Sequence, residues 1–309
     1  MIVTVTPNPS IDRTLVIPQL ARGEVIRVRT TSAEAGGKGI NVSRALVAQG
    51  GASLAIAPLS PTSAAVFRDL LADACPLDAV GIAGEVRTNV SLVELDGTVT
   101  KVNEPGPMLD EADAGRLLGR VAEAAHGADW VVGSGSLPPG IGKDFYARLV
   151  RAVPAGVRVA IDADDAALRS AAAARPALLK PNRRELEGLT GQRLDTLGEV
   201  VEAAAALVAG GVGAVLVSLG PDGAAYVDGH GSAHAEGRLG QIANSVGAGD
   251  ALLAGFLAAG ASVAALSEAV AWSIAACRAP GTAMQPLQAA DRAAVTVHRH
   301  ADLRRRLVA

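Results

Sequence analysis

A chain of 309 residues is long enough for one large domain or two modest ones. Half of its residues are hydrophobic, only 2% are aromatic, and the formal net charge is −3. This composition predicts a large aliphatic core and excludes a single-stranded nucleic-acid binder, which needs aromatic faces and a basic groove. The one basic run, Arg304-Arg305-Arg306, is interpreted as a solvated helix end.

The sequence also bears on compartment and partners. Its first seven residues lack the basic region and long apolar run of a signal peptide, and the apolar stretch 251–261 is too short to span a membrane. Cys75 and Cys277 have no metal-ligand spacing, so we expect two buried thiols in a reducing compartment. The prediction is a cytoplasmic protein with neither a membrane nor a nucleic-acid partner.

The first hundred residues predict a buried strand, a helix and a small projecting sheet. Residues 2–6 form a β-branched run before Pro7, and GGKG at 36–39 opens an amphipathic helix. Four segments resemble strands but carry more polar positions: residues 14–17, 25–31, 89–95 and 98–103. Asp96-Gly97 between the last two is a strong hairpin signal. We expect one lid sheet built from two insertions, roughly 12–34 and 86–104.

From residue 110 onwards, helical and buried strand patterns alternate. The predicted helices cover residues 111–126, 143–152, 165–174, 183–190, 196–209, 249–260 and 263–277. The predicted strands cover residues 130–133, 157–161, 178–180, 214–218, 224–227 and 232–235. This alternation predicts an α/β fold in which a mostly parallel sheet is covered by helices on both faces. We expect residues 1–309 to form a single domain that carries the lid.

The most informative run is NSVGAGD at residues 244–250, directly before an apolar helix. Small residues at a helix N-terminus let backbone N–H groups approach an anion such as a transferring phosphoryl group. Asp250 could then accept the proton of an attacking hydroxyl. Taken alone, however, the run is explained at least as well by Asp250 capping the helix. It is neither a Walker A loop nor a dinucleotide fingerprint.

Other polar residues predict a sugar site after the first strand. Asn8 and Asp12 lie there, and the Asp12 carboxylate could accept hydrogen bonds from two vicinal hydroxyls. In GGKGIN at 36–41 the glycines permit close backbone approach, and Asn41 offers an amide that both donates and accepts. Each feature, taken alone, is equally consistent with a turn.

Cations near the predicted lid suggest that the sugar carries a phosphate. Arg27 and Arg29 share one face of the predicted strand 25–31, because strand side chains alternate. Arg87 precedes the hairpin, and Lys38 lies in the glycine-rich run. Any one of these side chains, taken singly, is more often solvated than functional.

Three further loops follow predicted strands, where ligands of open parallel sheets bind. GSGSLPPG at 133–140 exposes Ser136. In KPNRRE at 180–185, Asn182 and Glu185 could hold the Mg²⁺ of a nucleotide through waters, or could simply cap a helix. SLGPDG at 218–223 is a turn beside which a nucleotide could lie, or an ordinary hairpin entry.

These runs, in this order, closely resemble the PfkB (ribokinase-like) family of carbohydrate kinases. The resemblance extends from TPNPSID at 6–12 to PGTAM at 280–284, with the family's two signatures at 35–44 and 244–255. It is greatest with the 1-phosphofructokinase/tagatose-6-phosphate kinase branch. The resemblance implies a ribokinase-like three-layer sandwich with a β-sheet lid, use of ATP and Mg²⁺, and a homodimer formed through the lid.

The resemblance also assigns expected roles to residues. It implies that sugar hydroxyls are bound by Asp12, Gly37 and Asn41, and the existing phosphate by Arg27, Lys38, Arg87 and Ser136. It implies that Mg-ATP is bound by Asn182 and Glu185, and the rest of the nucleotide by Ser218, Gly220 and Gly223. Asp250 is the expected base, with Gly247, Ala248 and Gly249 as its anion hole. One departure is SPTS at 60–63, where the family has a Gly-Gly or Gly-Asp loop.

The expected reaction is phosphorylation of fructose 1-phosphate to fructose 1,6-bisphosphate. Tagatose 6-phosphate and fructose 6-phosphate are the alternative acceptors. A sugar-phosphate sensor that binds without phosphorylating is the alternative from another class, although such a protein has no need of a catalytic base.

Overall fold

Two β-sheets organise the computed structural model, which describes residues 1–238, 245–278, 281 and 284–308. The ten-stranded sheet has the spatial order β14 (Val295–His298), β13 (Gly231–Gly237), β12 (Ala224–Asp228), β11 (Ala214–Ser218), β10 (Leu178–Leu179), β9 (Arg158–Asp162), β8 (Trp130–Ser134), β1 (Ile2–Val5), β4 (Ser53–Leu59) and β5 (Leu77–Gly81). The four-stranded sheet has the order β3 (Thr30–Gly36), β2 (Ser10–Ile17), β6 (Arg87–Glu94) and β7 (Val99–Asn103).

The large sheet is parallel from β5 to β11 and antiparallel from β11 to β14. Its central strands are runs of Val, Ile, Leu and Ala that are buried on both faces, as parallel strands usually are. Consecutive side chains point to opposite faces, so Val131 and Val132 pack in different clusters. The predicted mostly parallel sheet is confirmed.

Helices cover both faces of this sheet. They are α1 (Lys38–Ala48), α2 (Pro61–Leu71), α3 (Glu111–Ala124), α4 (Phe145–Ala152), α5 (Asp165–Ala173), α6 (Arg183–Thr190), α7 (Leu197–Ala209), α8 (Ala248–Ala258), α9 (Leu266–Cys277) and α10 (Ala289–Ala293). One layer is formed by α3 to α7, and the other by α1, α2, α8 and α9. The expected three-layer sandwich is therefore observed, and α1 packs directly on α8.

The small sheet is the predicted lid, with one difference. The predicted strand at 25–31 is wrong, because β3 begins only at Thr30. In the register, Thr30 pairs with Val16 near the end of β2, and Pro18 follows β2 without a backbone donor. Residues 25–28 thus extend beyond the end of their partner strand. Arg27 and Arg29 are exposed and do not share a face of a strand.

The basic run near the end of the described chain also differs from expectation. Residues 304–306 are not a helix end, and Arg306 forms an isolated β-bridge with Thr196. Arg305 turns inward because two carboxylates, of Asp222 and Glu236, lie within ion-pair distance of it.

Two smaller expectations concern the cysteines and membrane crossing. Cys75 and Cys277 are buried free thiols, as predicted. Within the described ranges, no helix combines the length and apolarity that crossing a bilayer requires.

Candidate active site

The candidate site lies at the carboxyl ends of the parallel strands, around Asp250. Asp250 is in the first turn of α8, after Gly247, whose φ of 83° places it in the left-handed region. Its side chain is only 7% exposed. The packing of α1 on α8 brings Asn41 to it, and Asn41 Nδ2 donates to Asp250 Oδ2 at 2.9 Å. Asn244, which precedes this turn in the sequence motif, lies outside the described residues.

The surroundings of Asp250 raise the pKa of its carboxyl group towards neutral pH. Burial, followed by the negative charge of Asp162, raises its pKa from 3.8 to about 7, against the opposing effects of Asn41, Lys180 and Lys38. A general base is most effective when its pKa is near the working pH. The group is therefore suited to take a proton from a hydroxyl at neutral pH.

A buried ionic network adjoins Asp250, with Asp162 at its centre. Lys38 Nζ lies 3.0 Å from Asp162 Oδ1, and Lys180 Nζ lies 2.9 Å from Asp162 Oδ2. Lys38 also pairs with Asp164 at 2.9 Å and with Glu185 at 3.8 Å. Burial opposes ionisation of Asp162, but the two lysines hold its pKa below the usual range.

The carboxylates affect Lys38 in the opposite sense. Burial alone would lower the pKa of Lys38, but Asp162, Asp164 and Glu185 raise it above its ordinary value. Lys38 is therefore a permanent cation at the N-terminus of α1. Lys180 Nζ lies 3.5 Å from the position a Cβ on Gly249 would occupy, so a second cation lies beside the turn of α8.

Sequence reasoning missed part of this network. It assigned no role to Asp162, Asp164 or Lys180. Asp162 ends β9 and Lys180 follows β10, at the edge where ligands of parallel sheets bind. That positional rule could have identified both residues, since the strand at 157–161 was predicted correctly to within one residue.

Asn182 and Glu185 do form the helix cap that was one interpretation of their motif. Asn182 Oδ1 accepts from the backbone N–H of Glu185 at 2.9 Å, and Glu185 Oε2 accepts from that of Asn182 at 2.7 Å. The second oxygen, Glu185 Oε1, points towards Lys38. Burial and the charge of Asp162 raise the pKa of Glu185, although Lys38 opposes them.

The donors around Asn182 and Glu185 bear on whether Mg²⁺ could bind here. Within the described residues, no three His, Cys, Asp or Glu side chains converge so as to hold a metal by themselves. Mg²⁺ usually keeps several waters and is held by one or two carboxylates together with substrate phosphates. Both oxygens of Asp162 are paired with lysines, whereas Glu185 Oε1 lies 3.8 Å from Lys38 Nζ and is a carboxylate donor that fits an ion held through waters and phosphates.

The predicted nucleotide loop, residues 218–223, lies beside the cap of α6. An isolated bridge joins Ser218 to Asn182, so the two predicted nucleotide-binding segments are neighbours. The loop contains a 3₁₀ turn, Gly220–Asp222, that ends at Gly223. A Cβ on Gly223 would lie 2.0 Å from the Ala235 carbonyl oxygen, so only glycine fits there.

The predicted sugar-binding residues lie where the lid joins the large sheet. Asp12 Oδ1 accepts from Ser10 Oγ at 2.7 Å and from Asn89 Nδ2 at 3.0 Å. From the sequence, Asn89 is assigned only to a predicted strand and has no predicted role in binding. Asp12 Oδ2 lies 2.2 Å from the position a Cβ on Gly36 would occupy, and Gly37 has a φ of 133°. Glycine is therefore required at residue 37 by its backbone conformation, whereas a side chain at residue 36 would displace the Asp12 carboxylate.

The predicted phosphate-binding residues are only partly brought together. Arg87 is partly buried, and its Nε has no hydrogen-bond partner among the described residues. Burial lowers the pKa of Arg87, against Asp12 and Asp164. Ser136 accepts from Asn8 Nδ2 at 3.3 Å. Arg27 is exposed on the segment before β3, and within the described chain no hydrogen bond or ion pair joins it to Arg87 or Ser136.

The unusual SPTS run at 60–63 begins α2 and contacts the base of the lid. Ser60 caps the helix by accepting from the Ser63 backbone N–H at 3.0 Å. The hydroxyls of Ser60 and Ser63 both donate to Glu85 Oε2, at 2.9 and 2.6 Å. Since Glu85 lies just before β6, this run contacts the strand that carries Arg87.

Comparison with known proteins is consistent with this geometry. A family model described as pfkB family carbohydrate kinase matches residues 6–281. The 1-phosphofructokinase of Rhodobacter capsulatus is 40% identical over 260 residues, which cover 83% of this chain and 82% of that protein. The tetrameric inhibited form of phosphofructokinase-2 from Escherichia coli has a TM-score of 0.83 at 33% identity, covering 94% of this chain and 96% of that one.

A more distant structure bears on the fold alone. Ribokinase from Arabidopsis thaliana, solved with ribose and ATP, has a TM-score of 0.71 at 23% identity and covers 92% of this chain and 95% of that one. The expected ribokinase-like fold is confirmed.

Three residues of the PGTAM motif at 280–284, namely residues 280, 282 and 283, lie outside the described residues.

Proposed function

This chain belongs to the pfkB family of carbohydrate kinases, and we propose that it phosphorylates fructose 1-phosphate to fructose 1,6-bisphosphate with ATP. The observation that carries the proposal is Asp250, a buried carboxyl with a pKa of about 7 at a helix N-terminus. The relative named 1-phosphofructokinase supports the acceptor. Family membership makes the chain a phosphotransferase, so the sensor hypothesis is not carried forward.

In the proposed reaction the Asp250 carboxylate takes the proton of the primary hydroxyl. The hydroxyl oxygen forms a bond to the γ-phosphorus, the bond from that phosphorus to the β–γ bridging oxygen breaks, and ADP leaves with the electron pair. The backbone N–H groups of Gly247, Ala248 and Gly249 stabilise the charge on the transferring group. Asn41 holds the carboxylate in place through its 2.9 Å hydrogen bond.

The lysines of the ionic network stabilise the same negative charge, that of the transferring phosphoryl group. Lys38 and Lys180 lie on either side of Asp162, so their ammonium groups are held by the protein before substrates arrive. Such groups cost little reorganisation during the reaction, which is the basis of electrostatic catalysis. Lys38 has the further proposed role of binding the phosphate of the acceptor.

The acceptor is held between the lid and the large sheet. Asp12, Gly37 and Asn41 bind its hydroxyls, and its existing phosphate is bound by Lys38, Arg27, Arg87 and Ser136. The buried Nε of Arg87 has no partner among the described residues, and this supports the role, because an unsatisfied buried donor is costly without a ligand. Arg27 can take part only if the segment before β3 folds over the bound sugar.

ATP lies along the segment from Asn182 to Gly223. Asn182 and Glu185 would hold Mg²⁺, and Ser218, Gly220 and Gly223 would contact the nucleotide. The ion, when bound, neutralises charge on the nucleotide phosphates. Closure of the lid excludes water and so limits hydrolysis of ATP.

A homodimer formed through the lid is also proposed. The lid exposes Leu95, Val99 and Val102, each more than half accessible, and exposed apolar groups of this kind favour an interface. The relative from Escherichia coli has been solved as a tetramer. Light scattering on the purified protein would give twice the chain mass; a single chain mass would contradict the proposal.

Fructose 6-phosphate is the second candidate acceptor. It is favoured by the structural likeness to phosphofructokinase-2 from Escherichia coli, a protein that has been solved in complex with fructose 6-phosphate; that likeness covers 94% of this chain. Both acceptors offer a primary hydroxyl and one phosphate, so the same base and the same cations serve either reaction.

The test of the base compares Asp250→Asn with wild type in a coupled ADP-release assay. Because the amide cannot take the proton, kcat should fall by at least about a thousandfold. The Kd for MgATP should change little, since Asp250 contacts the acceptor. Asp69→Asn, a change at an exposed carboxylate on α2, is the control and should have no effect. Near-normal kcat in Asp250→Asn would refute the assigned base.

A further inference from the structure

Asp222, at the end of the 3₁₀ turn in the nucleotide loop, is buried and fully hydrogen-bonded. Its side chain is 4% exposed. Arg305 Nη2 donates to Oδ1 at 3.0 Å, and the backbone N–H of Val308 donates to Oδ2 at 2.7 Å. His234 Nε2 donates to its backbone carbonyl at 2.6 Å. A buried carboxylate with charged and backbone donors is rigidly held, so the turn it belongs to is held as well.

Residues 303–308, which we call the brace segment, also bind the other wall of the nucleotide site. The carbonyl of Val308 accepts from Arg183 Nη1 at 3.1 Å, and Arg183 is the first residue of α6, next to Asn182. Further along the segment, the Leu307 N–H donates to the Asp195 carbonyl at 2.9 Å. The peptide groups of Val308 thus connect the nucleotide loop to the helix that carries Asn182 and Glu185.

Arg305 is the side chain on which the brace segment depends. Besides Asp222, it binds Glu236 Oε2 through Nη1 at 2.7 Å, and Glu236 Oε1 accepts from His298 Nε2 at 2.9 Å. These bonds tie the segment to β13 and β14 as well as to the loop. The neighbouring Arg304 is exposed, and its backbone N–H donates locally to Asp302 Oδ1 at 3.0 Å.

We propose that the brace segment sets the affinity for ATP by holding the loop 218–223 and the N-terminus of α6 in their binding arrangement before the nucleotide arrives. Arg305 is thus a positioning residue, since it acts through Asp222 and touches no substrate. The inference rests on the proposed function, in which this loop holds ATP. Without the brace, the cost of ordering the loop is added to nucleotide binding, which weakens affinity without altering the acceptor site.

The test compares Arg305→Ala with the control Arg304→Ala. We expect Arg305→Ala to raise both the KM for ATP and the Kd for MgATP by roughly tenfold, as loss of a charge-assisted contact would. The KM for fructose 1-phosphate and kcat should stay within about twofold of wild type. Arg304→Ala should change none of these values. A merely structural role would instead lower Tm and the active fraction without separating the two KM values.

Further variants cover the case in which Arg305→Ala does not fold. Arg305→Lys keeps the positive charge and should raise the Kd for MgATP less than Arg305→Ala does. Asp222→Asn should raise this Kd as much as Arg305→Ala does. Adding Arg305→Lys to Asp222→Asn should then change Kd little further, because both changes weaken one contact. An unchanged Kd in folded Arg305→Lys and Asp222→Asn, or equal effects in Arg304→Ala, would overturn the inference.

The two proposals fail separately. Titration calorimetry with MgATP alone needs no acceptor. If wild type phosphorylates none of the sugar phosphates but Arg305→Ala still weakens MgATP binding, the proposed function fails and the brace survives. If wild type is an active kinase and its variants bind MgATP normally, the brace fails alone.

Discussion

Replacing Asp250 with Asn should stabilise the protein, and more at high pH than at low pH. Burial raises the pKa of this carboxyl from 3.8 to about 7. Since the folded-state pKa lies above the unfolded-state value, the folded protein favours the protonated group. This group therefore costs no stability below about pH 4, where it is protonated in both states. As the pH rises towards 7, its ionisation in the unfolded chain progressively lowers the free energy of unfolding. The neutral amide of Asn carries no such cost and can still accept the hydrogen bond from Asn41.

The magnitude follows from the two pKa values. The buried carboxylate costs roughly 2 kcal/mol at pH 5 and about 4 kcal/mol at pH 8. The stability advantage of Asp250→Asn should therefore grow by roughly 2 kcal/mol between these conditions. The variant should thus gain stability and lose activity, as expected where a catalytic residue costs the folded protein stability.

Urea unfolding followed by circular dichroism, at both pH values, measures this difference. The control Asp69→Asn should show little difference at either pH, because that side chain is exposed. A pH-independent difference, or a wild type more stable than Asp250→Asn at pH 8, would refute the reasoning about Asp250.

Three other predictions concern activity. The kcat/KM for the acceptor should fall about tenfold per pH unit well below pH 7, as Asp250 becomes protonated; a flat profile between pH 5 and 8 would contradict this. Gly36→Ala should raise the KM for the acceptor severalfold but not that for ATP, because the new Cβ displaces the Asp12 carboxylate; equal changes in both KM values would count against it. Glu185→Gln keeps the helix cap but should raise the Mg²⁺ concentration needed for half-maximal rate severalfold; an unchanged magnesium titration would remove Glu185 from that role.

The sequence predicted the architecture well because the architecture follows from local patterns. The periodicity that indicates a helix or a strand lies within each segment, and the hairpin signal Asp96-Gly97 is likewise local. The failure at residues 25–31 has a cause outside that segment. Its Val and Ile content favours a strand, but pairing is limited by Pro18 after β2. Strand formation depends on the partner, which a local pattern does not contain.

The candidate site shows the same division. Asp250, Asn182 and Glu185 lie in compact motifs and could be found from the sequence. Asn182 and Glu185 also illustrate that a helix cap and a candidate ligand are compatible interpretations. Arg305 could not be assigned, because its partner Asp222 is 83 residues away in the chain. In the sequence it is one of three adjacent arginines.

The central claim is tested most directly by kcat/KM for the wild-type protein with ATP and each sugar phosphate in turn. The acceptors are fructose 1-phosphate, fructose 6-phosphate and tagatose 6-phosphate, with unphosphorylated fructose as a control. We predict that fructose 1-phosphate exceeds the others by at least about tenfold and that fructose is a poor acceptor. A higher value for fructose 6-phosphate or tagatose 6-phosphate would contradict the proposed acceptor. If none of these acceptors supports ADP release, the proposed function is contradicted.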